Sequence, residues 1–400
     1  LMTKGAKRDH EESKMPRFIA LPVGRGDAFF LATDNGSVLM DGGRAVKSFA
    51  YLFKTYAQRD GVDVLVATHN DADHANGVLG FLEAGLKCHE VWLPGRWAQV
   101  LRQVLRPWEE VVYVLARQVE EVRIDELKRE GAILEQYAES VDPHFEAQRH
   151  DEEDQELEES GWPHETIPLL EATPEEEDEW GALPWWDWWL YWGYRRFLPY
   201  WPPHVLRRRP FLEAIVAAKR IRQIALEAYH RGIAVRWFEW DTQNPSGGYE
   251  WLEPLNGRRI VRVKPVKEEV LLHFLALTVW NRESLVFWVP PEYAGGGVLF
   301  TADSDLKGVR LPTLQSAIVT TPHHGSAANK EVYKLINTPV IWVRSDGRSR
   351  KRPCSEYLRT RGRRYCTLCR NAKSTKQAVI FWQRAGGWVR GRGVRPCICE

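Results

Sequence analysis

The segment Thr68-His69-Asn70-Asp71-Ala72-Asp73-His74 places two imidazoles and two carboxylates within six residues. It follows the apolar run Val62 to Ala67, whose length and composition predict a buried strand. A strand ending in a tight loop can hold such groups converging. Converging nitrogen and oxygen donors are what two adjacent divalent cations require.

Four other segments carry residues of related chemistry, in a fixed order along the chain. Gly24-Arg25-Gly26-Asp27-Ala28 precedes the strand-like Phe29 to Thr33, and Val38-Leu39-Met40-Asp41-Gly42-Gly43 ends an apolar run on a carboxylate. Phe300-Thr301-Ala302-Asp303-Ser304-Asp305 does the same much later, and Thr321-Pro322-His323-His324-Gly325-Ser326 supplies two more imidazoles. Together these segments resemble the metallo-β-lactamase superfamily. Its His-x-His-x-Asp-His signature is met with Asp71 in place of the second His. The resulting His-x-Asp-x-Asp-His form resembles the subgroup containing the C-terminal domain of the DNA-uptake protein ComEC. Asp41-Gly42-Gly43 is similar to that subgroup's Asp-Gly-Gly strand end. The segment around Asp303 is similar to its Thr-Gly-Asp-x-Glu element, and the His323-His324 segment to its Pro-His-His-Gly-Ser element. The resemblance covers residues 17–95 and 232–385 and leaves the middle of the chain unexplained.

The resemblance implies an α/β (α+β) protein, an αββα sandwich with metals at one edge of the facing sheets. It implies that His69 and Asp71 hold the first of two divalent ions, and Asp73 and His74 the second. Asp303 would bridge them, His323 or His324 would complete the second site, and Asp41 would orient a ligand imidazole. Such an ion pair converts a bridging water to hydroxide at neutral pH, with Asp73, His323 and His324 at the reacting centre. The imidazole of the pair that does not coordinate would stabilise an oxyanion or protonate a leaving group. Ser326 and the amides near Gly325 would contact a phosphate oxygen. The carboxylate of Asp71 makes the first site harder, which opens it to manganese or magnesium beside zinc. The superfamily's additional His has His273 as its nearest candidate, although an imidazole inside the apolar run Leu271 to Phe274 also reads as a core residue. His230 reads as structural.

The elements that must position these groups follow from periodicity. Strands are predicted at Arg17 to Leu21, Asp27 to Thr33, Ser37 to Asp41, Val62 to Ala67 and Glu90 to Leu93, with helices over Arg44 to Arg59 and Asn76 to Ala84. Further strands are predicted at Ala234 to Trp240, Ser284 to Val289, Gly297 to Thr301, Ala317 to Thr320, Val340 to Val343 and Ala378 to Trp382. Short helices fall at Lys330 to Ile336 and Ser355 to Gly362. The expected organisation is a disordered extension over 1–15, the sandwich over 16–95 and 232–400, and a large insertion over 96–231. The insertion divides into a helical stretch, Leu101 to Glu139, an acidic stretch and the amphipathic helix Phe211 to Arg231.

Hydrophobic content of 44% and charged content of 27% fit a globular chain rather than a disordered or membrane-spanning one. No apolar run reaches the roughly 20 residues that span a bilayer, and the polar start Leu1 to Met15 lacks a signal-peptide segment, so a cytoplasmic location is expected. The net charge of +1 hides a strong asymmetry. Residues 151–179 hold fourteen acidic groups and no Lys or Arg, whereas 344–395 hold sixteen basic groups against Asp346 and Glu356. The basic residues Arg348, Arg350, Lys351, Arg352, Arg359, Arg361, Arg363 and Arg364 can form a phosphate-binding surface or a solvated face.

Five of the six cysteines lie at the C-terminal end. Cys366, Cys369, Cys397 and Cys399 offer four thiolates, enough for a structural zinc site. Free thiols or a disulfide are the other readings. The segment Trp185 to Trp192, with Phe197, Tyr200 and Trp201, is read as an aromatic mini-core of the insertion; base stacking, a protein-partner interface and membrane anchoring are the alternatives.

The function expected from these features is a dinuclear metal-dependent hydrolase, a phosphodiesterase or nuclease acting on nucleic acid or nucleotide. The alternatives are a small-molecule hydrolase of a cyclic nucleotide, phosphoester or lactone, and a non-catalytic partner-binding module.

Overall fold

The computed structural model describes residues 16–121, 155–172, 209–278, 284–346, 352–370, 375–384 and 387–399. The Trp-rich segment 185–201, the N-terminal extension and residues 151–154 and 173–179 of the acidic stretch lie outside these residues. Two compact units are present. The first comprises residues 1–95, 233–260 and 280–400; the second comprises 96–232 and 261–279.

The first unit is built on two sheets. The larger has nine strands, in the spatial order Gly387–Arg390, Val379–Arg384, Arg17–Ala20, Phe29–Ala32, Ser37–Met40, Gly61–Val66, Lys87–Pro94, Ala234–Trp240 and Gly257–Arg259. The smaller has six: Gly362–Cys366, Val340–Arg344, Ile318–Thr320, Val298–Phe300, Phe287–Val289 and Glu253–Pro254. Side chains alternate across a strand, so each strand can serve two cores at once. Phe29 points inward and stacks on Phe18 at 5.9 Å, with Phe300 of the facing sheet 6.3 Å away. Its neighbour Phe30 points outward and meets the edge of Phe53 at 5.7 Å. All four residues of this strand are buried for that reason.

The inner core joins both sheets through Val38, Val64, Trp92, Phe287, Val298 and Val343. Helices Phe49–Ala57 and Ala72–Glu83 cover the outside of the larger sheet, where Phe53 and Phe81 meet edge to face at 5.3 Å. Beyond the smaller sheet, Trp288, Val319 and Trp342 pack against Val332, Tyr333 and Tyr357 of short helices. The result is the αββα sandwich expected from the sequence.

Ser37–Met40, Gly61–Val66, Lys87–Pro94 and Ala234–Trp240 run parallel to one another, as do Val298–Phe300, Ile318–Thr320, Val340–Arg344 and Gly362–Cys366. Groups that follow parallel strands therefore collect at one edge, the carboxyl ends. Asp41, His69, Asp303 and His323-His324 all follow such strands.

The helix predicted from Asn76 begins at Ala72 instead, with Asp71 at its N-cap position. Acidic groups suit the first turn of a helix, and polarity there hides the helical pattern from an apolar-periodicity reading. Asp73 and His74 thus stand on a helical turn, not on a loop.

The second unit contains helices Gly95–Val104, Trp108–Glu121, Arg209–His230 and Leu271–Thr278, and the paired strands Gln155–Glu156 and Arg262–Val263. The single helical stretch predicted from Leu101 is divided at Pro107, which has no N–H to continue the ladder. The carbonyls freed by this break are satisfied by buried Arg222, which donates to Val104 O at 2.9 Å and Arg106 O at 2.6 Å. His273 lies on Leu271–Thr278 of this unit, and His230 Nε2 lies 3.2 Å from the Leu170 carbonyl. Among the described residues no helix is long and apolar enough to cross a membrane.

Candidate metal centre

The site is assembled from four strand ends of the first unit. Asp41 leaves Ser37–Met40 in the left-handed region, at φ 58°, and its N–H donates to Val66 O of the neighbouring strand at 2.9 Å. This turn aims its carboxylate under the following loop. Asp41 Oδ1 accepts from Thr68 N at 2.8 Å; Oδ2 accepts from Thr68 Oγ1 and from His74 Nδ1, each at 2.8 Å. Because the Thr68 hydroxyl proton is committed to Asp41, the 2.9 Å contact between Thr68 Oγ1 and His69 Nδ1 requires the imidazole to donate.

Across the sandwich, His323 and His324 both adopt left-handed backbone, at φ 45° and 54°, within the turn Pro322–Gly325. His324 Nδ1 donates to Asp27 Oδ1 and to the Ser345 carbonyl, each at 3.0 Å. His323 Nδ1 lies 3.2 Å from Asn329 Oδ1, and the Asn329 amide donates to the Asp303 carbonyl at 2.9 Å. That second bond fixes the amide orientation, so His323 Nδ1 is also the donor. All four imidazoles therefore donate through Nδ1, which leaves Nε2 as the atom available to a metal.

Those Nε2 atoms converge on Asp303. Its Oδ1 lies 3.2 Å from His74 Nε2 and 3.9 Å from His324 Nε2. Its Oδ2 lies 3.8 Å from His69 Nε2 and 3.6 Å from His323 Nε2. Asp71 Oδ2 stands 3.8 Å from His69 Nε2, and Asp73 Oδ2 stands 3.4 Å from His324 Nε2. The pair His323-His324, left open by the sequence, is thus split between the two sides of one carboxylate.

Two glycine positions make this closeness possible. The Asp27 N–H donates to the Asp73 carbonyl at 3.0 Å, and a Cβ on adjacent Gly26, at φ 88°, would fall 1.5 Å from that same oxygen. Gly42 and Gly77 meet backbone to backbone, with a Cβ on Gly77 only 1.9 Å from Gly42 O. The start of helix Ala72–Glu83 can therefore press against the turn carrying Asp41.

The electrostatics are those of a site built for cations. Burial alone would raise Asp303, yet His74 and His324 hold it well below the usual carboxylate range. Burial would lower His74, but Asp303 and Asp41 outweigh it and raise the imidazole well above its ordinary value. His324 is raised in the same way, against burial, by Asp27 and Asp303. Burial, reinforced by His74, pushes His69 down to about 3, and burial lifts Asp27 to about 6 despite the opposing His324. In the metal-free site, protons on His74 and His324 balance the carboxylates.

The Nε2 atoms of His69, His74 and His324 are buried without a well-directed hydrogen bond. Asp27, His74, Asp303 and His324 offer ligand atoms within 4.8 Å of one another, and so do His69, Asp71 and Asp303. Nε2 atoms facing carboxylates at these distances require a positive charge between them, a proton or a metal ion. The donor set, imidazole nitrogen with carboxylate oxygen, fits divalent cations of the zinc or manganese type.

Other predicted residues fall as follows. Ser326 caps the turn Ala327–Asn329, its hydroxyl accepting from Ala328 N at 3.3 Å. The sulfurs of Cys366, Cys369, Cys397 and Cys399 lie within 4.8 Å of one another. Arg352 and Arg344 share Asp346 Oδ2 at 3.6 Å each, whereas Arg348, Arg350 and Lys351 lie outside the described residues. Sequence reasoning missed Asp27 as a site residue, although its Gly-Arg-Gly-Asp segment was part of the resemblance. It also missed Asn329 and the Ser345 carbonyl, which carries no side-chain signal at all.

Residues 21–174 match the family model of the metallo-beta-lactamase superfamily. The match includes Asp27, Asp41 and the His69–His74 segment, and stops short of Asp303 and His323-His324. The superfamily, with the His/Asp groups just described, points to a metal-dependent hydrolase. No curated protein matches the chain.

Proposed function

We propose that this protein is a dinuclear metal-dependent phosphodiesterase of the ComEC-like subgroup, with nucleic acid as its preferred substrate. The observation that carries the hydrolase reading is the two-sided use of Asp303. One oxygen faces His74 and His324, and the other faces His69 and His323.

On this reading Asp73, His74, His324 and Asp303 would hold one divalent ion, while His69, Asp71 and Asp303 would hold the other. Such ions supply Lewis-acid polarisation of a phosphoryl oxygen and make water acidic enough to attack at neutral pH. The protein's own groups do the remaining work. Asp41, Thr68 and Asp27 hold the Nδ1 proton of every ligand imidazole, so that Nε2 is the atom that would coordinate, the second protons of His74 and His324 being displaced as an ion binds. His323 is the most exposed of the four site imidazoles, and burial holds it below its ordinary value. Held down in this way, the imidazole is neutral at neutral pH, and its Nε2 takes a proton from the attacking water and returns it to the leaving oxygen.

Substrate preference rests on charge outside the ligand set. Arg352 is 28% exposed and close enough to depress His323 electrostatically. A groove elsewhere on the first unit is lined by Arg363, Arg364, Arg390, Tyr365 and Trp388. Guanidinium groups beside the partly exposed Trp388 suit phosphates, with one ring for a base to stack on, while Tyr365 is buried beneath them. The same reading has the enzyme work in the cytoplasm, where thiols stay reduced.

The test is direct. Protein loaded with zinc or manganese is offered single- and double-stranded DNA, RNA and a bis-aryl phosphodiester. Metal-dependent cleavage that is lost in Asp303→Ala is expected. Cleavage of the aryl ester alone would indicate a small-molecule phosphodiesterase, and activity surviving Asp303→Ala would remove this site from the reaction.

A further inference from the structure

We infer that Cys366, Cys369, Cys397 and Cys399 form a closed tetrathiolate zinc centre, remote in function from the hydrolytic site, with the buried guanidinium of Arg344 as its charge partner. Cys366 closes the edge strand Gly362–Cys366, Cys369 follows in the next turn, and Cys397 and Cys399 return from the end of the chain.

The first argument is distance. All four sulfurs lie within 4.8 Å of one another, and the Cys366–Cys397 separation is 3.0 Å. A disulfide needs about 2.05 Å. Four thiolates about 2.3 Å from one tetrahedral ion stand about 3.8 Å apart, inside the observed spread. Cys366, Cys369 and Cys399 are buried, so the pocket is closed to solvent on most sides, as structural zinc sites are.

The second argument is the company the sulfurs keep. Backbone N–H groups donate to three of them: Ile398 N to Cys369 at 3.4 Å, Cys399 N to Cys397 at 3.4 Å and Arg370 N to Cys399 at 3.3 Å. Arg344 Nε donates to Cys366 Sγ at 3.4 Å, and its Nη2 approaches Cys399 Sγ at 3.8 Å. Donors converging on sulfur favour thiolate over thiol, and they are the outer-shell bonds that steady metal ligands. Arg344 is fully buried, and Asp346, its ion-pair partner among the described residues, is shared with Arg352. An always-charged guanidinium in that position needs further negative charge. Four neutral thiols supply none, whereas a zinc ion with four thiolates carries two net negative charges.

The consequence is mechanical. The centre ties the chain's end to the edge of the smaller sheet. Through Arg344 it also braces the end of strand Val340–Arg344, whose next residue, Ser345, receives the His324 N–H. Binding displaces the thiol protons and contributes directly to folding.

The experiment uses the full chain, purified without chelator, together with Asp303→Ala and the double variant Cys397→Ser/Cys399→Ser. Zinc is measured per chain, and the metal is then exchanged for cobalt. The expected result is one zinc equivalent that survives in Asp303→Ala and is lost in the double cysteine variant. Cobalt protein should show sulfur-to-cobalt charge-transfer and tetrahedral ligand-field bands, in wild type and Asp303→Ala alike. Should the cysteine variant fail to fold, thiol titration of the folded wild type decides. Four of the six thiols should resist modification until zinc is released. Freely reacting thiols without the cobalt bands, or disulfides in protein kept under reductant, overturn the assignment. None of these outcomes depends on hydrolytic activity.

Discussion

Asp27 and His324 stand 297 residues apart in the chain, and a 3.0 Å hydrogen bond from the imidazole Nδ1 to the carboxylate joins them. Through this bond the first turn after the N-terminal strand decides which nitrogen of a histidine in the second half of the fold is available to a metal. Asp27→Ala is expected to lower metal affinity and hydrolysis by roughly 10- to 100-fold, the usual cost of losing an outer-shell partner of a ligand histidine. Asp27→Asn keeps an acceptor oxygen and should recover most of that loss. Metal titration of the three proteins checks this; equal affinities for alanine and wild type would show that Ser345 alone orients the ring.

Gly26→Ala should destabilise the fold by about 3 kcal/mol or more, since the backbone lies at positive φ and the new methyl meets Asp73 O. Urea unfolding of the chelator-treated protein measures this apart from metal binding. A loss below about 0.5 kcal/mol, the level of an ordinary surface change, would mean that the Gly26–Asp73 contact is not as close as described.

The pH dependence of the metal-free protein carries a definite sign. His69 falls from its ordinary 6.5 to about 3 on folding, burial being the main cause. The unfolded chain therefore binds a proton at this residue near 6.5 while the folded chain does not. Stability from this group is complete above 6.5 and drains away as pH drops toward 3. His69→Gln should remove that slope, so the variant gains on wild type as the solution is acidified. His74 and His324, raised above their ordinary value, are protonated in folded and unfolded chains alike below 6.5, so their opposite slope lies above this range. Parallel stability curves across this range would refute the assignment.

Arg352→Ala should weaken nucleic-acid binding about equally for all sequences and reduce the salt slope by about one unit, the signature of a single phosphate contact. Metal content should stay at the wild-type level, because Arg352 contributes no ligand atom. Binding isotherms at several salt concentrations report both quantities, and an unchanged slope would remove Arg352 from the substrate path.

Much of the sandwich was legible because buried strands announce themselves. Ala234–Trp240 appears as read, and Gly61–Val66 within a residue of its predicted start. The edge strands Gly257–Arg259, Gly362–Cys366, Gly387–Arg390 and Glu253–Pro254 are not predicted, because they are short and interrupted by arginine, glycine or proline, so no long apolar run marks them. Helix Ala72–Glu83 was read late because its first turn is chemical rather than apolar. Pro107 interrupts a pattern whose hydrophobic spacing continues on both sides of it.

By itself the sequence determined which donors are present and in what order. Side-chain chemistry and local spacing are written in the chain, so the His69–His74 cluster could be named from them, and the resemblance carried by the other motifs added Asp303 and the histidine pair. What only the tertiary structure decided is how they are shared. His323 and His324 are neighbours, yet successive left-handed residues send them to opposite oxygens of Asp303. Asp27 became part of the site because Gly26 lets its backbone lie against Asp73. Orientation of this kind depends on backbone angles and on contacts across hundreds of residues, and neither is carried by residue identity or short-range spacing.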